Sequence, residues 1–214
     1  MSTRRPKKED TYIIGTDEVG YGAWAGPLLV CAVAVPSSWK PPKGLTDSKA
    51  LSPKARLALY KELQQVPFAL MSAGSAEIDR VGVATALVQA HTAAIQSMLT
   101  RYPDAEVIVD GALSLPELPQ AQIVPKADSL VPAVSAASVI AKVNRDFIMK
   151  QYHQHFPNYG FDRNVGYGTK AHEAGLARYG VCPLHRHSYR PIQKYAQEQQ
   201  VKETRSRRRA GISP

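Results

Sequence analysis

Four carboxylates stand where short apolar runs give way to turns. Asp17 and Glu18 follow Ile13-Ile14-Gly15-Thr16, Asp110 closes Glu106-Val107-Ile108-Val109, and Asp128 comes soon after Gln122-Ile123-Val124. In open α/β sheets, side chains at strand ends are where sites are assembled. Carboxylates without a matching set of His or Cys are the ligand chemistry of hard cations such as Mg²⁺ or Mn²⁺. Two such ions, roughly 3.5–4 Å apart, can activate a water and stabilise the leaving oxygen in phosphodiester cleavage. Successive side chains of a strand point to opposite faces, so Asp17 and Glu18 can serve one site only if the strand bends or stops there. The glycine-bracketed turn Gly20-Tyr21-Gly22 offers such a stop. An exposed acidic turn is the bland alternative. It fits poorly with carboxylates wedged between two apolar runs, because buried charge needs a partner or a metal.

The elements that must hold these acids can be read in order. Apolar strands are expected over 13–18 and 28–35, followed by a Pro/Lys-rich loop over 36–44. Ser52 then Pro53 is a helix start, with Ser as N-cap and Pro at the first helical position, and the helix runs to about residue 65 with Leu57, Tyr60 and Leu63 on one side. A strand is expected over 68–73. Asp79 is placed as the cap of a helix whose Val83, Leu87, Ala90, Ala94 and Met98 keep helical spacing. Strands over 106–110 and 122–124, an Ala-rich helix over 131–155, a loop over 157–168 and a helix over 169–178 complete the reading. Strands interleaved with helices, without internal repeats or an interior linker, give a single mixed α/β layer architecture.

Composition supports a globular chain with a polyanionic partner. The 214 residues are 44% hydrophobic and 21% charged, with a formal net charge of +9. Much of the surplus sits at the ends: Arg4, Arg5, Lys7 and Lys8 against Glu9 and Asp10, and Lys202, Arg205, Arg207, Arg208 and Arg209 against Glu203. Residues 1–10 and 202–214 therefore read as disordered basic arms around a domain over 11–201, able to raise nucleic-acid affinity in a salt-sensitive way. The longest apolar run, 23–35, is interrupted by Gly26 and Pro27 and is too short for a bilayer, so no membrane association is expected. No apolar stretch follows the basic N-terminus as in a secretory signal, and the two cysteines, Cys31 and Cys182, make no disulfide framework. Cys31 reads as a small hydrophobe inside a strand. A cytoplasmic protein is the expectation.

Weaker candidates are also present. Lys142 and Arg145 lie three apart on the long helix and could face substrate or solvent. Asp146 is placed as an orienting neighbour on that helix. Cys182, His185 and His187 invite a zinc reading but lack a fourth ligand at suitable spacing. His172-Glu173 lacks the second His of a metalloprotease helix, and Gly15 to Gly20 lacks the Lys-Ser/Thr of a phosphate-binding loop.

Several longer segments resemble ribonuclease HII in fixed order: Asp17-Glu18-Val19-Gly20, Ala25-Gly26-Pro27, Leu45-Thr46-Asp47-Ser48-Lys49-Ala50-Leu51-Ser52, Val109-Asp110-Gly111, Lys126-Ala127-Asp128, Ala136 through Asp146, and Gly166-Tyr167-Gly168-Thr169. The likeness covers roughly residues 11–192. It implies a ribonuclease H-like fold, a mixed five-stranded sheet flanked by helices with a helical C-terminal part. It also implies a monomeric enzyme that hydrolyses the RNA strand of RNA–DNA hybrids and cuts 5′ to a ribonucleotide embedded in duplex DNA. Products with 3′-hydroxyl and 5′-phosphate ends, and a place in ribonucleotide excision repair, follow from the same likeness. By motif position the metal-binding acids are Asp17, Glu18, Asp110 and Asp128, and the likeness implies two ions of Mg²⁺ or Mn²⁺ as cofactor. Lys49 matches the family's phosphate-contacting lysine, Gly20 and Gly22 its backbone contacts to the junction, and Tyr167 the tyrosine that stacks on a sugar there.

One segment departs from the family. The turn after the acid pair normally reads Gly-Arg-Gly or Gly-Lys-Gly, and here it is Gly20-Tyr21-Gly22, with Ala23-Trp24 where Pro-Leu is usual. The glycines that allow close backbone approach are kept while the cation is lost. Altered recognition of a single-ribonucleotide junction is therefore expected at Tyr21. A protein that binds hybrids with little cleavage is the alternative, favoured by this turn and the basic arms and opposed by the intact acids.

Overall fold

The computed structural model describes residues 11–209, with backbone alone at 202, 203 and 205–209. The basic arm expected over 1–10 lies outside the described residues. Five strands, β1 (Tyr12–Val19), β2 (Leu28–Pro36), β3 (Phe68–Ala73), β4 (Glu106–Asp110) and β5 (Gln122–Val124), form one sheet in the order β3-β2-β1-β4-β5. Strand β1 is antiparallel to β2 and parallel to β4, and β4 is parallel to β5. The sheet is mixed and five-stranded, as expected. Helices are α1 (Pro53–Leu63), α2 (Ser75–Val81), α3 (Val83–Leu99), α4 (Ala127–Leu130), α5 (Pro132–His155), α6 (Phe161–Asn164), α7 (Lys170–Tyr179) and α8 (Arg190–Arg209). None of the described helices is long and apolar enough to cross a membrane.

The described chain divides into two compact units. One comprises the chain up to Val19, Leu29–Met71 and Val88–Val143; the other comprises Gly20–Leu28, Ser72–Leu87 and the chain from Asn144 on. In the first unit β2 is buried along nearly its whole length, which explains its continuous run of apolar residues: both of its faces are covered. Cys31, Val33 and Val35 pack with Leu59 and Leu63 of α1 and with Ala133, Ala136, Ala137 and Ile140 of α5. Gly15 lets α5 lie directly on the backbone of β1, since a Cβ there would fall 2.4 Å from the Ala133 carbonyl carbon and the Val134 nitrogen. The alanines of α5 serve the same close approach. In the second unit Ala25, Met149, Tyr159, Phe161, Leu176, Cys182 and Ile192 form one cluster, and Leu28, Ala73, Ile78 and Ala86 another.

Ser52 caps α1 by accepting from the Ala55 N–H at 3.2 Å, with Pro53 opening the helix. Its buried residues are Leu59 and Leu63, while Leu57, expected on the packed side, is 49% exposed. Asp79 does not cap a following helix. It lies inside α2, which starts after Gly74, and its carboxylate accepts from the His187 and Ser188 N–H groups at 2.9 and 2.8 Å. Residues 157–168 hold a 3-10 turn (Pro157–Tyr159) and the short α6 rather than a plain loop. The tail expected to be disordered from residue 202 continues α8 as far as Arg209, and the residues beyond lie outside the described chain.

Candidate active site

The sheet places two of the acids side by side. The last paired residues of the parallel β1–β4 ladder are Thr16 and Val109, so the next step sets Asp17 beside Asp110 on adjacent strands. Asp17 is 2% exposed. The Oδ1 atom of Asp110 is buried and has no hydrogen-bond partner. Asp128 arrives by another route, in the first turn of α4, which follows β5 and packs against β4. Lys126, just before it, holds a left-handed backbone (φ 61°), and the Ser135 hydroxyl donates to the Asp128 carbonyl at 2.6 Å. Non-glycine residues in that conformation carry strain and cluster at functional sites.

Electrostatics tie these acids into one group. Burial pushes the Asp17 carboxyl up to about 7, the charges of Glu18 and Asp110 push the same way, and a hydrogen bond from Ser138 opposes them. Asp128 is raised by burial, then by Asp110 and Asp47, against the opposing pull of Lys49. The Lys49 ammonium stands 3.8 Å from Asp128 Oδ2. Burial lowers its pKa, but Asp17, Asp47, Asp128 and Asp110 outweigh that and hold it above the usual lysine value. The Asp47 carboxylate turns this loop by accepting from the Lys49 N–H at 2.9 Å. One exposed ammonium beside several repelling carboxylates leaves charge to be neutralised.

Glu18 is held differently. Strand β1 neither bends nor stops at the acid pair; it runs on to Val19, still in register with Leu29 of β2. Alternation therefore holds, and Glu18 shares a face with Thr16 instead of with Asp17. On that face lies His91 of α3, fully buried, with Nδ1 2.8 Å from the Thr16 hydroxyl and Nε2 3.5 Å from Glu18 Oε2. Sequence reasoning missed His91. It sits on the apolar stripe with Leu87, Ala94 and Met98, and a polar residue on such a stripe is the signal that was there to read. Among the described residues no three His, Cys, Asp or Glu side chains converge as placed on a point where a metal would sit. The donor chemistry nonetheless suits a hard dication: oxygen ligands only, an unpartnered buried carboxylate oxygen, and a carboxyl that resists ionisation without a counter-charge.

The second unit holds the Gly20–Gly22 turn and the Gly166–Thr169 loop, described by themselves. Tyr21 is 43% exposed, and its carbonyl accepts from Arg186 at 2.8 Å and from the Tyr189 hydroxyl at 2.6 Å. Trp24, which replaces the family's leucine, has its ring against Gly168 and a backbone bond to the Gly166 carbonyl at 2.8 Å. Tyr167 is 36% exposed, so it is not a core tyrosine. Arg145 faces neither solvent nor an open surface: it is fully buried, and burial lowers its pKa to about 10. Of the two residues expected to face substrate or solvent, Arg145 does neither. Arg186, also fully buried, gave no sequence signal.

The zinc reading of Cys182, His185 and His187 gives way to a hydrogen-bonded chain. His185 Nδ1 accepts from the Cys182 N–H at 2.8 Å, His185 Nε2 meets His172 Nε2 at 3.0 Å, and His172 Nδ1 meets the Tyr167 carbonyl at 3.0 Å. One protonation pattern satisfies these three links: His172 donates from Nδ1 and His185 from Nε2, both rings neutral, leaving the 3.2 Å contact of His185 Nδ1 with the Cys182 carbonyl without a proton.

Carboxylates thus stand at strand ends of a mixed five-stranded sheet, and comparison with known proteins supplies the class. The ribonuclease HII family profile matches residues 14–192. The ribonuclease HII of Thermus thermophilus is 43% identical over 182 residues, covering 84% of this chain and 87% of that protein. Among solved structures, ribonuclease H2 from Pyrococcus horikoshii OT3 superposes with a TM-score of 0.62 at 23% identity, over 88% of this chain and 98% of that one. Bst-RNase HIII in complex with Mn²⁺ does so with a TM-score of 0.69 at 20% identity, over 90% and 71%. The chain belongs to the ribonuclease HII family. It is an enzyme of that family's kind, a metal-dependent endoribonuclease with ribonuclease H activity.

Proposed function

We propose that this protein hydrolyses the RNA strand of RNA–DNA hybrids and cuts 5′ to ribonucleotides embedded in duplex DNA, leaving 3′-hydroxyl and 5′-phosphate ends. Two divalent ions, Mg²⁺ or Mn²⁺, are held by Asp17, Asp110 and Asp128, joined at the end of β1 by Glu18, whose charge acts on Asp17 although its side chain leaves the opposite face. The observation that carries this reading is the placement of Asp17 beside Asp110 at the ends of adjacent parallel strands, with an unpartnered oxygen on Asp110. The Mn²⁺ bound by Bst-RNase HIII supports the choice of ion. Bound there, such ions polarise a water and stabilise the leaving oxygen.

The protein's own groups do the rest. The acids convert a costly buried charge into a cation site, so affinity for the ion is drawn from the repulsion between them. Lys49, exposed and tethered at Asp128, is free to swing to a substrate phosphate. Gly20 and Gly22 present backbone to the ribonucleotide, where the 2′-hydroxyl distinguishes RNA from DNA, and Tyr167 offers a ring for a sugar. Tyr21 contributes a ring and a hydroxyl in place of a cation, which weakens single-ribonucleotide junctions relative to longer runs. Residues 11–201 act as one cytoplasmic, monomeric catalytic domain, with the basic ends adding salt-sensitive affinity.

The test is cleavage of a DNA duplex with one ribonucleotide beside a long hybrid, with Mg²⁺ and with Mn²⁺. Metal-dependent cutting of both, slower on the single ribonucleotide, is expected. The second reading, a hybrid-binding protein, is favoured by the uncharged exposed Tyr21; it requires binding of both substrates and cleavage of neither.

A further inference from the structure

Arg145 is an arginine with no exposed surface that spends its guanidinium on backbone. Its Nε donates to the Pro27 carbonyl at 2.8 Å, one terminal nitrogen to Val165 at 2.8 Å, and the other to Ala25 at 3.2 Å. The same group lies over the Tyr167 ring, 5.5 Å from its centre. It also fills the space that a side chain at position 20 would need: a Cβ on Gly20 would come within 2.2 Å of Arg145 Nε. Val165, which receives one of these bonds, holds a left-handed backbone (φ 44°). That conformation is costly for a β-branched residue and persists only where surrounding contacts impose it.

We propose that Arg145 is a positioning residue for substrate recognition, its one guanidinium setting the Gly20–Pro27 turn and the Val165–Tyr167 loop in fixed register with each other. The inference rests on the reading that this turn and Tyr167 touch the nucleic acid. A planar fork with donors in fixed directions can hold three carbonyls from two loops; a lysine ammonium on a flexible stem cannot. Pre-set loops bind without an ordering cost at the moment of encounter. Loss of the fork therefore appears in substrate affinity more than in the chemical step.

The experiment compares KM and kcat on a long RNA–DNA hybrid at saturating Mg²⁺ for the wild-type protein, Arg145→Lys, Tyr167→Ala and the double variant, with circular dichroism and melting to certify folding. Arg145→Lys is expected to raise KM about tenfold with kcat within about threefold. Tyr167→Ala also raises KM, and in its background the Arg145→Lys penalty shrinks to about threefold, because part of what Arg145 positions is gone. An unchanged KM in Tyr167→Ala would remove the underlying reading. A raised KM there, with no change in folded Arg145→Lys or with the full penalty kept in the double variant, would overturn the role of Arg145 alone. If Arg145→Lys fails to fold, Arg145→Gln, which keeps two N–H donors without a buried charge, takes its place under the same criteria. Failure of both to fold would also overturn the proposal, since Arg145 would then belong to the fold and not to recognition.

Discussion

Glu18 and His91 meet at 3.5 Å, Oε2 to Nε2, on the face of β1 opposite Asp17. Thr16, two residues earlier on the same face, stands 2.8 Å from the other ring nitrogen. His91 Nε2 makes no hydrogen bond as placed but faces the carboxylate at ion-pair distance, and losing an outer partner of a metal-binding carboxylate typically costs 10–100-fold in metal affinity. We predict that His91→Ala weakens Mn²⁺ binding by about tenfold or more, on that scale. His91→Gln, whose amide can reach Glu18, recovers part of the loss. Titration of Mn²⁺ by calorimetry, without substrate, reads this directly; equal affinity in all three proteins would mean that Glu18 needs no brace.

Asp17 gives a stability prediction with opposite signs in the absence and presence of metal. Its folded pKa of about 7 lies above the ordinary 3.8, so the native state holds the proton more tightly than the unfolded chain does. Stability contributed by this group is present below pH 4 and is lost as pH rises through 7. At pH 8 without metal, Asp17→Asn removes the buried charge and should raise the melting temperature by on the order of 2–4 °C. With saturating Mg²⁺ the order reverses, because only the wild-type site binds the ion tightly. A lower melting temperature for the metal-free variant at pH 8 would show that Asp17 is already paired.

The His172–His185 chain gives a third. Burial pushes the His185 pKa down to about 3, with the neighbouring His172 acting in the same direction, so the unfolded chain binds more protons below pH 6.5. Stability from this group is full above that value and is lost as pH falls from 6.5 toward 3. His185→Asn keeps an acceptor for the Cys182 N–H but cannot be protonated. It should flatten the fall in melting temperature between pH 6.5 and 4.5; an unchanged slope would locate the acid sensitivity elsewhere.

Tyr21 gives a fourth. A charge-assisted contact to a phosphate is worth roughly 1.5–3 kcal/mol, and tyrosine cannot supply it. Tyr21→Arg should raise initial rates on a single-ribonucleotide duplex by about tenfold or more, the scale of that contact, and on a long hybrid by less. Equal gains would make this a general affinity position, and no gain would mean that Trp24, packed against Gly168, has already compensated.

The sheet was legible because each strand carries its own apolar run and turn, and α1 because its cap is local. Asp110 and Asp128 were legible as site candidates for the same reason, lying where strands end. The rest depends on partners distant in the chain. Nothing local marks Arg145 as buried, since the carbonyls that accept from it come from residues 25, 27 and 165. Asp79 reads as a helix cap from its neighbours and becomes the acceptor for residues 187 and 188 only when the chain returns. Glu18 was expected to join Asp17 through a break in the strand, and the ladder to β2, which does not break, put it with His91 instead.

The central claim is that the acids beside Asp17 form one metal site that cuts the nucleic acid. It is tested most directly by Asp110→Asn, assayed on a long RNA–DNA hybrid for Mg²⁺-dependent cleavage and, in the absence of metal, for binding. Cleavage should fall by at least about a thousandfold, as when the ion loses a ligand that holds the attacking water and leaving oxygen. Hybrid affinity should persist or rise, because one negative charge has been removed near the phosphates. Cleavage at the wild-type rate with intact metal dependence would contradict the account.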